Sequence, residues 1–534
     1  MRFPAIRRTV MSLCCLAGPT IAIAQPAPVI AQPASVIAQP SVTAIENNYS
    51  YILPASPNYG IAQGSLFVIF GKDLASASTG LQPFPLETAV SGTSLTVRVD
   101  GITTHPIPYY VSPGQIAAIL PSATPVGVGV LRVTSNGATS APTFIQVVRT
   151  DFGIDTLYGA GYGPAVAQHA NGQILGPTNS ANPGETIVLW GSGVGPDPDN
   201  DQITYPQKQN NLTGLPMEVD IGGIPAAISY RGRSPYPGVD QINVTVPANV
   251  PPGCWVSAVV WTENYSSNFA TIPIAANGST CSDLSTGYSG TELAGLLSQP
   301  SLNIGTIGIG NYAPPVTFTG TGYDAAIFNT YTPAEFIASL ILPVTYNTLV
   351  FADTGVLPYI VGLTAVSIGS CVVVQEPQTY THPAALNAGL INLSQSGGAV
   401  VTDNGSGGSQ VGPFQAQATI PSGFSWQGSS VDWLSGLTVT WSDAAPDSFV
   451  QIYGLSSNAG TGLYTAFTCS APAGAGIFAV PSVVLRAMAP YAELEADGNI
   501  NPYFLAVSNY TYPEAFTATG IDFGTIYGYT ALRN

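Results

Sequence analysis

An acidic stretch that reads DPDND is the segment whose residue types and spacing best suggest a metal site. Asp197, Asp199 and Asp201 alternate as in calcium-binding loops, where carboxylate oxygens are the ligands that Ca²⁺ prefers. The pattern then departs from such a loop, because Gln202 stands where the turn needs Gly and Lys208 stands where a bidentate Glu is needed. These departures favour an exposed acidic loop with no cofactor, and a calcium site of another geometry is the alternative.

The three histidines offer little support for nucleophilic catalysis. A Ser-His-Asp site needs a histidine that a carboxylate orients toward a serine. His105 and His382 each precede a proline, which favours a turn, and His169 lies in a polar connecting stretch. The chain also contains no G-x-S-x-G elbow before a helix, no HExxH and no CxxC. The sequence therefore predicts neither a serine hydrolase nor a zinc enzyme.

Paired carboxylates are harder to judge, because a glycosidase needs two Asp or Glu side chains that face one cleft. Glu493 with Glu495 and Asp443 with Asp447 are the candidate pairs, and solvated loop positions are the simpler interpretation. We therefore predict a non-enzymatic protein, with a polysaccharide-acting hydrolase that uses paired carboxylates as the alternative.

Aromatic side chains are the other candidates, since exposed rings on a β-sandwich can stack on sugars. Trp190 and Trp441 fall in alternating runs and are expected in the core. The remaining candidates are Tyr109, Tyr110, Tyr230, Tyr236, Trp426 and Trp433. A carbohydrate-binding module is therefore a further alternative.

The composition of the chain restricts the classes of partner that it is expected to bind. The 534 residues carry a formal net charge of −17, which repels phosphate backbones, so nucleic-acid binding is disfavoured. Only 8% of the residues are charged and 45% are hydrophobic, a balance that favours a folded extracellular β protein over a disordered chain. The expected partner is an unknown protein or glycan at the cell surface.

The beginning of the sequence is typical of an export signal. Three arginines precede an apolar stretch that ends in an A-x-A site at Ala24, so residues 1–24 are predicted to be a signal peptide. Residues 25–45 repeat AQPxxVI, a Pro-rich pattern that favours an extended tether. No later run reaches about 18 uninterrupted apolar residues, so we predict no membrane span in the mature chain and a secreted or cell-surface location.

Two copies of one β module follow. The second copy opens GETIVLWGSGVGP, continues through VDIGGIPAAISY and VDQINVTVP, and closes on GCWVSAVVW. The first copy has GSLFVIFGKDLA, SLTVRVDGITTHPIPYY and PGQIAAILP in the same order. Each piece is a short alternating or β-branched run bounded by Gly, Pro or Asn, which indicates antiparallel strands. Gly71 and Gly191 end the matching first strands roughly 120 residues apart, a period that fits a whole sandwich domain.

The second copy, from PGETIVLWGSGVGP to VPPGCWVSAVVW, resembles an IPT/TIG domain, which is an immunoglobulin-like sandwich. With NFATIPIAANGSTCSD and the later motifs LTVTWSD and AFTCSAPAGAGIFAVPSVVL, most of the chain is similar to a secreted-protein family of soil acidobacteria (Solibacter-type). The first copy departs from the pattern, since it has GKDLAS in place of GSGxGP. The resemblance implies a sandwich fold and an extracellular location, and it implies no activity.

The sequence therefore predicts an all-β protein of tandem immunoglobulin-like β-sandwich domains, with a β-rich C-terminal half that contains a few short helices. The predicted order is sandwich 1 at 46–150, a connector at 151–179, sandwich 2 at 180–280, a β-rich domain with short helices at 281–382 and a C-terminal sandwich at 383–534. Strands are predicted at residues 66–70, 95–99, 187–190, 218–221, 241–246 and 437–441. Capping-box patterns predict short helices after Ser289 and Thr332.

Four cysteines remain after the predicted signal peptide, and four cysteines allow three pairings. An exported chain meets an oxidising environment, so paired thiols are expected. The second copy carries Cys254 and Cys281 where the first copy has no cysteine, so these two are predicted to be partners. That leaves Cys371 with Cys469, and four buried free thiols are the alternative.

Overall fold

Short β-strands carry most of the described chain, because the sequence alternates apolar and polar residues and interrupts each run with Gly, Pro or Asn. The computed structural model describes residues 38–54, 56–83, 85–197, 201, 211–263, 265–313, 322–341, 366–377, 389–393, 398, 400–405, 407, 410–428, 436–458, 463–488 and 504–533. The predicted signal peptide and most of the predicted tether lie outside these residues. The fold is all-β with a few short helices, as predicted.

Sandwich 1 consists of two facing sheets. Its strands are β1 (Ser41–Asn47), β2 (Ile61–Ala62), β3 (Leu66–Lys72), β4 (Ala89–Val90), β5 (Thr93–Val99), β6 (Ile102–Thr104), β7 (Ile107–Val111), β8 (Gln115–Ile119), β9 (Gly127–Ser135), β10 (Ala138–Thr139) and β11 (Thr143–Val148). One sheet has the order β1-β3-β8-β7, and the other has the order β2-β11-β9-β5-β4, with β6 beside β5 and β10 beside β9. Alternate residues such as Ile69, Leu95 and Val97 are fully buried between the sheets. Because β1 begins at Ser41, the first sheet includes residues that the sequence assigns to the tether at 25–45.

Sandwich 2 repeats this plan. Its strands are β12 (Gly153–Ile154), β13 (Gly163–Pro164), β14 (Ala167–His169), β15 (Thr186–Ser192), β16 (Glu218–Ile221), β17 (Ile224–Pro225), β18 (Ala227–Arg233), β19 (Asp240–Thr245), β20 (Gly253–Thr262), β21 (Tyr265–Ser266) and β22 (Ala270–Ile274). One sheet has the order β12-β15-β19-β18 and the other has the order β13-β22-β20-β16-β17. The first three strands come from the predicted connector, so that segment completes the edges of sandwich 2.

The two sandwiches also share their strand register. In sandwich 1, Phe70 on β3 pairs with Gln115 on β8. In sandwich 2, Trp190 on β15 pairs with Gln241 on β19. The copies that the sequence indicates are therefore structurally equivalent at single-residue level along these strands.

The residue after each of these positions is a glycine because the neighbouring edge strand passes very close. A Cβ added to Gly71 would overlap the carbonyl oxygen of Ser41 on β1, and a Cβ added to Gly191 would overlap the carbonyl oxygen of Gly153 on β12. Only glycine permits this approach of two backbones. The same steric constraint thus explains the same residue type in both copies.

The C-terminal half is built around one large sheet. Its elements are β23 (Ser282–Asp283), β24 (Tyr288–Ser289), α1 (Gly290–Leu297), β25 (Leu302–Ala313), β26 (Gly322–Tyr331), α2 (Pro333–Ile341), β27 (Cys371–Pro377), β28 (Gly389–Leu393), β29 (Val400–Gly405), β30 (Phe414–Thr419), β31 (Ser425–Gly428), β32 (Leu437–Ser442), β33 (Ser448–Asn458), β34 (Leu463–Pro472), β35 (Ile477–Val480), α3 (Ser482–Arg486), β36 (Phe504–Thr511), β37 (Glu514–Phe516) and β38 (Phe523–Arg533). The large sheet has the order β27-β34-β33-β36-β38-β25-β26-β28, with β37 beside β38. A smaller sheet has the order β31-β32-β35.

This large sheet crosses the boundary that the sequence predicts between residues 382 and 383. Strands β25 and β26 come from one side of that boundary, and β33, β34, β36 and β38 come from the other. The cause is a long-range pairing, because β25 runs parallel to β38 with Ile304 opposite Phe523 and Gly310 opposite Tyr529. The predicted division into two domains therefore does not correspond to two separate sheets.

Both predicted helix starts are confirmed. The Ser289 hydroxyl accepts from the Glu292 N–H, and the Glu292 carboxylate accepts from the Ser289 N–H, before α1. Thr332 and Glu335 make the same reciprocal pair before α2. Within the described residues, none of the helices has the length and apolar character that a bilayer crossing requires.

Strand β20 contacts both sandwich 2 and the C-terminal half, and all of its residues are buried. Val256, Ala258 and Val260 belong to the core of sandwich 2. Val259 and Trp261 belong instead to a cluster with apolar residues of β32 and β33. The two regions therefore share a core, whereas the sequence predicts separately packed domains.

Both predicted disulfides are present. Cys254 is bonded to Cys281 with a Cα–Cα distance of 5.2 Å, and Cys371 is bonded to Cys469 with a Cα–Cα distance of 4.1 Å. The second bond forms because β27 and β34 pair with these two residues directly opposite each other. Its partners are 98 residues apart in sequence, so it limits the unfolded chain more than the first bond does. In the chain-entropy view the second bond contributes about 4–5 kcal/mol.

The close approach at Gly191 predicts that Gly191→Ala lowers the free energy of unfolding by about 1–3 kcal/mol, because the methyl group forces β12 away from β15. Gly214→Ala is the matched control, since the added Cβ there meets nothing within 4 Å. Denaturant unfolding of both variants measures the difference. Equal stability of the two variants would contradict the steric explanation.

Candidate functional site

Two of the charged residues that the sequence offers for metal chemistry, Asp197 and Asp201, lie where sandwich 1 meets sandwich 2. We call this contact the seam, and its members are Gly64, Leu66, Ser122, Ser192, Asp197, Asp201, Arg233, Gly238 and Asp240. The Leu66 N–H donates to the Ser192 hydroxyl at 2.7 Å, and that hydroxyl donates to the Gly238 carbonyl at 2.6 Å. Hydrogen bonds therefore connect the start of β3 directly to the end of β15.

A buried ion pair lies at the centre of the seam. The side chain of Arg233, at the end of β18, is 4% exposed, and that of Asp240, at the start of β19, is fully buried. Arg233 Nη1 donates to Asp240 Oδ1 at 2.6 Å, and Nη2 donates to the Gly195 carbonyl at 2.8 Å. Burial alone would lower the pKa of Arg233, but the neighbouring carboxylates, chiefly that of Asp240, raise this pKa above its ordinary value. The guanidinium is therefore charged inside the protein.

Asp240 also determines the conformation of the GSGVGP loop after β15. Its Oδ2 accepts from the N–H groups of Gly193 at 2.7 Å and Val194 at 2.9 Å. Gly193 and Gly195 have φ angles of 114° and 133°, in a region that favours glycine. One carboxylate thus neutralises Arg233 and satisfies the backbone of the loop.

Two of the three candidate calcium ligands, Asp197 and Asp201, act on this arginine. Asp197 is 4% exposed, so the expectation of an exposed acidic loop is wrong at this residue. Asp201 accepts from the Ser122 N–H at 2.7 Å and from its hydroxyl at 3.0 Å, while Asp199 lies outside the described residues. In the described parts of the chain, no group of three or more His, Cys, Asp or Glu side chains is arranged to hold a metal ion. The cation that acts on Asp197 and Asp201 is Arg233, and a calcium site stays an untested alternative.

The sequence interpretation did not identify three further carboxyl groups, of which Glu46 and Asp151 are buried and Asp155 is half-buried. Burial raises the pKa of Glu46 on β1 from an ordinary 4.5 to about 7. Burial also raises the pKa of Asp155 from 3.8 to about 7, although the Thr156 N–H opposes this change. The pKa of Asp151 is raised well above its ordinary value by burial, against the opposing hydrogen bond from Gly60. These groups hold protons at a pH where ordinary carboxyl groups are ionised.

The histidines do not form a nucleophilic site in the structure as described. His169 Nδ1 lies 2.5 Å from Glu185 Oε1, so a carboxylate orients this imidazole. Its buried Nε2 has no hydrogen-bond partner in the described part of the chain, so no serine completes a triad there. His105 is exposed, and His382 lies outside the described residues.

The predicted carboxylate pairs fall into two groups. Asp443 and Asp447 are exposed on the turn between β32 and β33, as the solvated-loop interpretation predicts. Glu493 and Glu495 lie outside the described residues.

The aromatic candidates differ in exposure. Trp441 is 7% exposed and its Nε1–H donates to the Ala473 carbonyl at 2.7 Å, which confirms its core position. Trp190 is half-buried, and Tyr236 packs edge-on against it with ring centroids 5.9 Å apart. Tyr236 is 59% exposed. The other candidates, Tyr109, Tyr110, Tyr230 and Trp426, are half-buried, and Trp433 lies outside the described residues.

No protein-family model matches the chain, and no curated protein matches it. Among solved structures, the extracellular region of plexin A4 is 12% identical over 48% of this chain and 20% of that chain, with a TM-score of 0.16. A titin Ig tandem is 10% identical over 41% of this chain and 91% of its own, with a TM-score of 0.12. Domains 5–6 of the S-layer protein SbsC are 11% identical over 45% of this chain and 100% of their own, with a TM-score of 0.15. The match spans about a fifth of the plexin chain, and likenesses this weak identify neither a family nor a function.

The buried ion pair predicts that Arg233→Met lowers the free energy of unfolding by about 3–5 kcal/mol, because it leaves the carboxylate of Asp240 buried without its cation. The double variant Arg233→Met/Asp240→Asn keeps an acceptor for the loop N–H groups and removes the charge, so we expect it to recover much of the loss. Arg149→Met is the control, since the Arg149–Glu263 pair is largely exposed and contributes about 1 kcal/mol or less. Similar losses for the buried and the exposed pair in denaturant unfolding would contradict this account.

The raised pKa values predict that the protein loses stability as pH rises from about 4.5 to about 7 through Glu46 and Asp155, with no further loss from these groups above about pH 7. The folded state binds these protons more tightly than the unfolded state does, so the protonated form favours folding. Glu46→Gln removes one such group, and we expect it to exceed the wild type in stability by on the order of 2 kcal/mol near pH 8 and by little near pH 5. Thermal unfolding across this pH range tests the prediction, with the exposed Glu87→Gln as control. A wild-type pH profile that Glu46→Gln does not change would count against it.

Proposed function

We propose that this is an extracellular, non-enzymatic β-sandwich protein that acts in cell-surface or matrix interaction, by adhesion or ligand binding. The proposal rests on the arrangement of the charged residues at the seam, which interact with one another. Asp197, Asp201 and Asp240 surround the guanidinium of Arg233. Ser122 of sandwich 1 donates to the Asp201 carboxylate through its N–H and its hydroxyl, so this cluster joins the two sandwiches. Such an arrangement favours a structural role over a catalytic one.

The two disulfides support the extracellular location. Bonds of this kind persist in oxidising compartments and are rare in the cytosol. The predicted signal peptide at residues 1–24 is consistent with the same location.

Glycan binding is the second candidate function, and Tyr236 is the observation that favours it. The ring of Tyr236 is exposed and rests edge-on against Trp190, which fixes its orientation. A rigid exposed ring that is apolar on its face and polar at its tip can stack on a sugar and hydrogen-bond to it. This surface lies at the turn that precedes Asp240.

Binding and turnover measurements distinguish these functions. The labelled chain without residues 1–24 is applied to the cells that produce it, to a glycan array and to a panel of polysaccharides. We expect saturable binding to the cells or their matrix and no release of sugar. Binding to one glycan class that Tyr236→Ala abolishes, while unfolding stays unchanged, would favour the carbohydrate-binding candidate.

Turnover of any polysaccharide contradicts the proposal if it disappears when one Asp or Glu is replaced by its amide. The variants include Asp443→Asn and Glu493→Gln, because these residues belong to the candidate pairs. Absence of binding to cells, matrix and glycans alike would also remove its support.

A further inference from the structure

The outer face of one sheet of sandwich 1 exposes a compact apolar surface. We call it the β9 face, and it consists of Val128 and Val130 on β9, Phe144 on β11, and Arg98 and Arg132 at its sides. Val128 is 62% exposed, Val130 is 38% exposed and Phe144 is 52% exposed. Neighbouring residues of the same strands, such as Leu131 and Ile145, are fully buried, so the alternation of a sandwich sheet is intact. The core therefore does not require apolar residues at these outward positions.

Register places the members of this face side by side. Phe144 on β11 lies opposite Val130 on β9, and Val130 lies opposite Arg98 on β5. The row across the three strands is thus aromatic, aliphatic and cationic in that order. Cross-strand neighbours on one face of a sheet are in reach of one another and present one continuous surface.

The repeat shows what covers this face in the other copy. In sandwich 1, Val99 pairs with Gly129 and Gly129 pairs with Ile145. In sandwich 2, the corresponding ladder joins Ile221, Ala258 and Ala270. Val130 and Phe144 are the neighbours of Gly129 and Ile145 in sequence. In the same way, Val259 and Phe269 are the neighbours of Ala258 and Ala270. Val130 and Phe144 of sandwich 1 therefore correspond to Val259 and Phe269 of sandwich 2.

These equivalent residues differ in what they contact. Val259 is 3% exposed and Phe269 is 6% exposed, because apolar residues of β32 and β33 cover them. Val130 and Phe144 keep the same residue types and remain open in the described structure. The face in sandwich 2 is an occupied sheet-packing surface, and the face in sandwich 1 keeps its valine and phenylalanine with no occupant among the described residues.

We propose that the β9 face packs against the β9 face of a second copy of this chain, about a two-fold axis that runs along β9. Such an axis places Val130 of one copy over Val130 of the other. It also places the Arg98 guanidinium of each copy over the Phe144 ring of the other. The row is therefore complementary to itself, as an interface between identical surfaces requires.

The positions of the arginines favour this arrangement. A guanidinium over an aromatic face is attractive, so each Arg98–Phe144 contact stabilises the pair. Arg132 lies on β9 near the axis, and its Nη1 donates to the Ser140 carbonyl at 3.1 Å. Ser140 follows β10 and precedes β11, so this bond directs the two Arg132 side chains to opposite sides of the axis. The two like charges therefore do not meet.

Net charge sets the expected dependence on salt. Each chain carries a formal charge of −17, so two copies repel each other over long distances. The β9 face is apolar and carries two arginines, so the local charge there opposes the repulsion between the two acidic chains. Because salt screens the repulsion and strengthens apolar contact, we expect self-association to increase with ionic strength.

Sedimentation equilibrium of the chain without residues 1–24 tests the proposal between about 0.05 and 0.5 M salt. We expect a concentration-dependent dimer, and a dissociation constant that Phe144→Ser raises at least ~10-fold. Leu284→Ser is the matched control, since Leu284 is 60% exposed elsewhere, and we expect no change from it. Thermal unfolding of each variant verifies that the fold is retained.

A cross-linking variant gives an independent measurement. The four cysteines of the described residues are paired in disulfides, so Val130→Cys adds one free thiol to that part of the chain. We expect a disulfide-linked dimer from Val130→Cys under mild oxidation and none from Leu284→Cys. A monomer at all concentrations and salts overturns the proposal, as does a dimer that Phe144→Ser leaves intact. Association that depends on Phe144 but weakens with salt would indicate a contact between arginine and acidic groups, and it would overturn the two-fold arrangement.

Discussion

A guanidinium that leaves water must be neutralised and hydrogen-bonded, and Arg233 imposes this requirement on the contact between the sandwiches. Asp240 meets it with one carboxylate oxygen, and with the other it accepts from the backbone of the GSGVGP loop. The loop then presents Ser192, whose hydroxyl receives the N–H of Leu66 in the first sandwich. The buried charge of Arg233 is thereby linked to the conformation of the loop, to the contact between the sandwiches and to the first residue of β3.

The first sandwich differs from the second at the position that corresponds to the GSGVGP loop. Its loop reads GKDLAS, which lacks the glycines that allow the φ angles of Gly193 and Gly195. The duplicated modules therefore differ in sequence where they meet. Both keep a glycine, at positions 71 and 191, because in each module the backbone of an edge strand lies against that residue.

Local features of the fold could be predicted from the sequence, because their causes lie within a few residues. The capping boxes at Ser289 and Thr332 need only a side chain three residues away. The strand at 218–221 follows from alternation, and the cysteine pairing follows from comparison of the two copies. These predictions depend on neighbours in sequence or on an internal repeat, both of which one chain displays.

The seam and the shared core could not be predicted in the same way. Arg233 in YRGRS has the appearance of a surface residue, and its burial depends on the arrival of Gly64 and Ser122 from another domain. Glu46 likewise lies in a strand of ordinary sequence, although the fold leaves it only 6% exposed. Strand β20 did carry a signal, since GCWVSAVVW is apolar at alternating and intervening positions alike, which is typical of a strand buried on both faces. That signal indicates a covering layer without saying which part of the chain supplies it.

The parallel pairing of β25 with β38 has a consequence for how the chain reaches its fold. Ile304 and Phe523 are neighbours in the sheet but lie far apart in sequence, so the ladder closes a long loop. Topologies dominated by such distant contacts fold slowly, because the entropy of loop closure is lost before the contacts form. Until β38 arrives, β25 exposes an unpaired edge that can template aggregation. A chain with this topology gains from completing its central sheet only when residues near 530 are present.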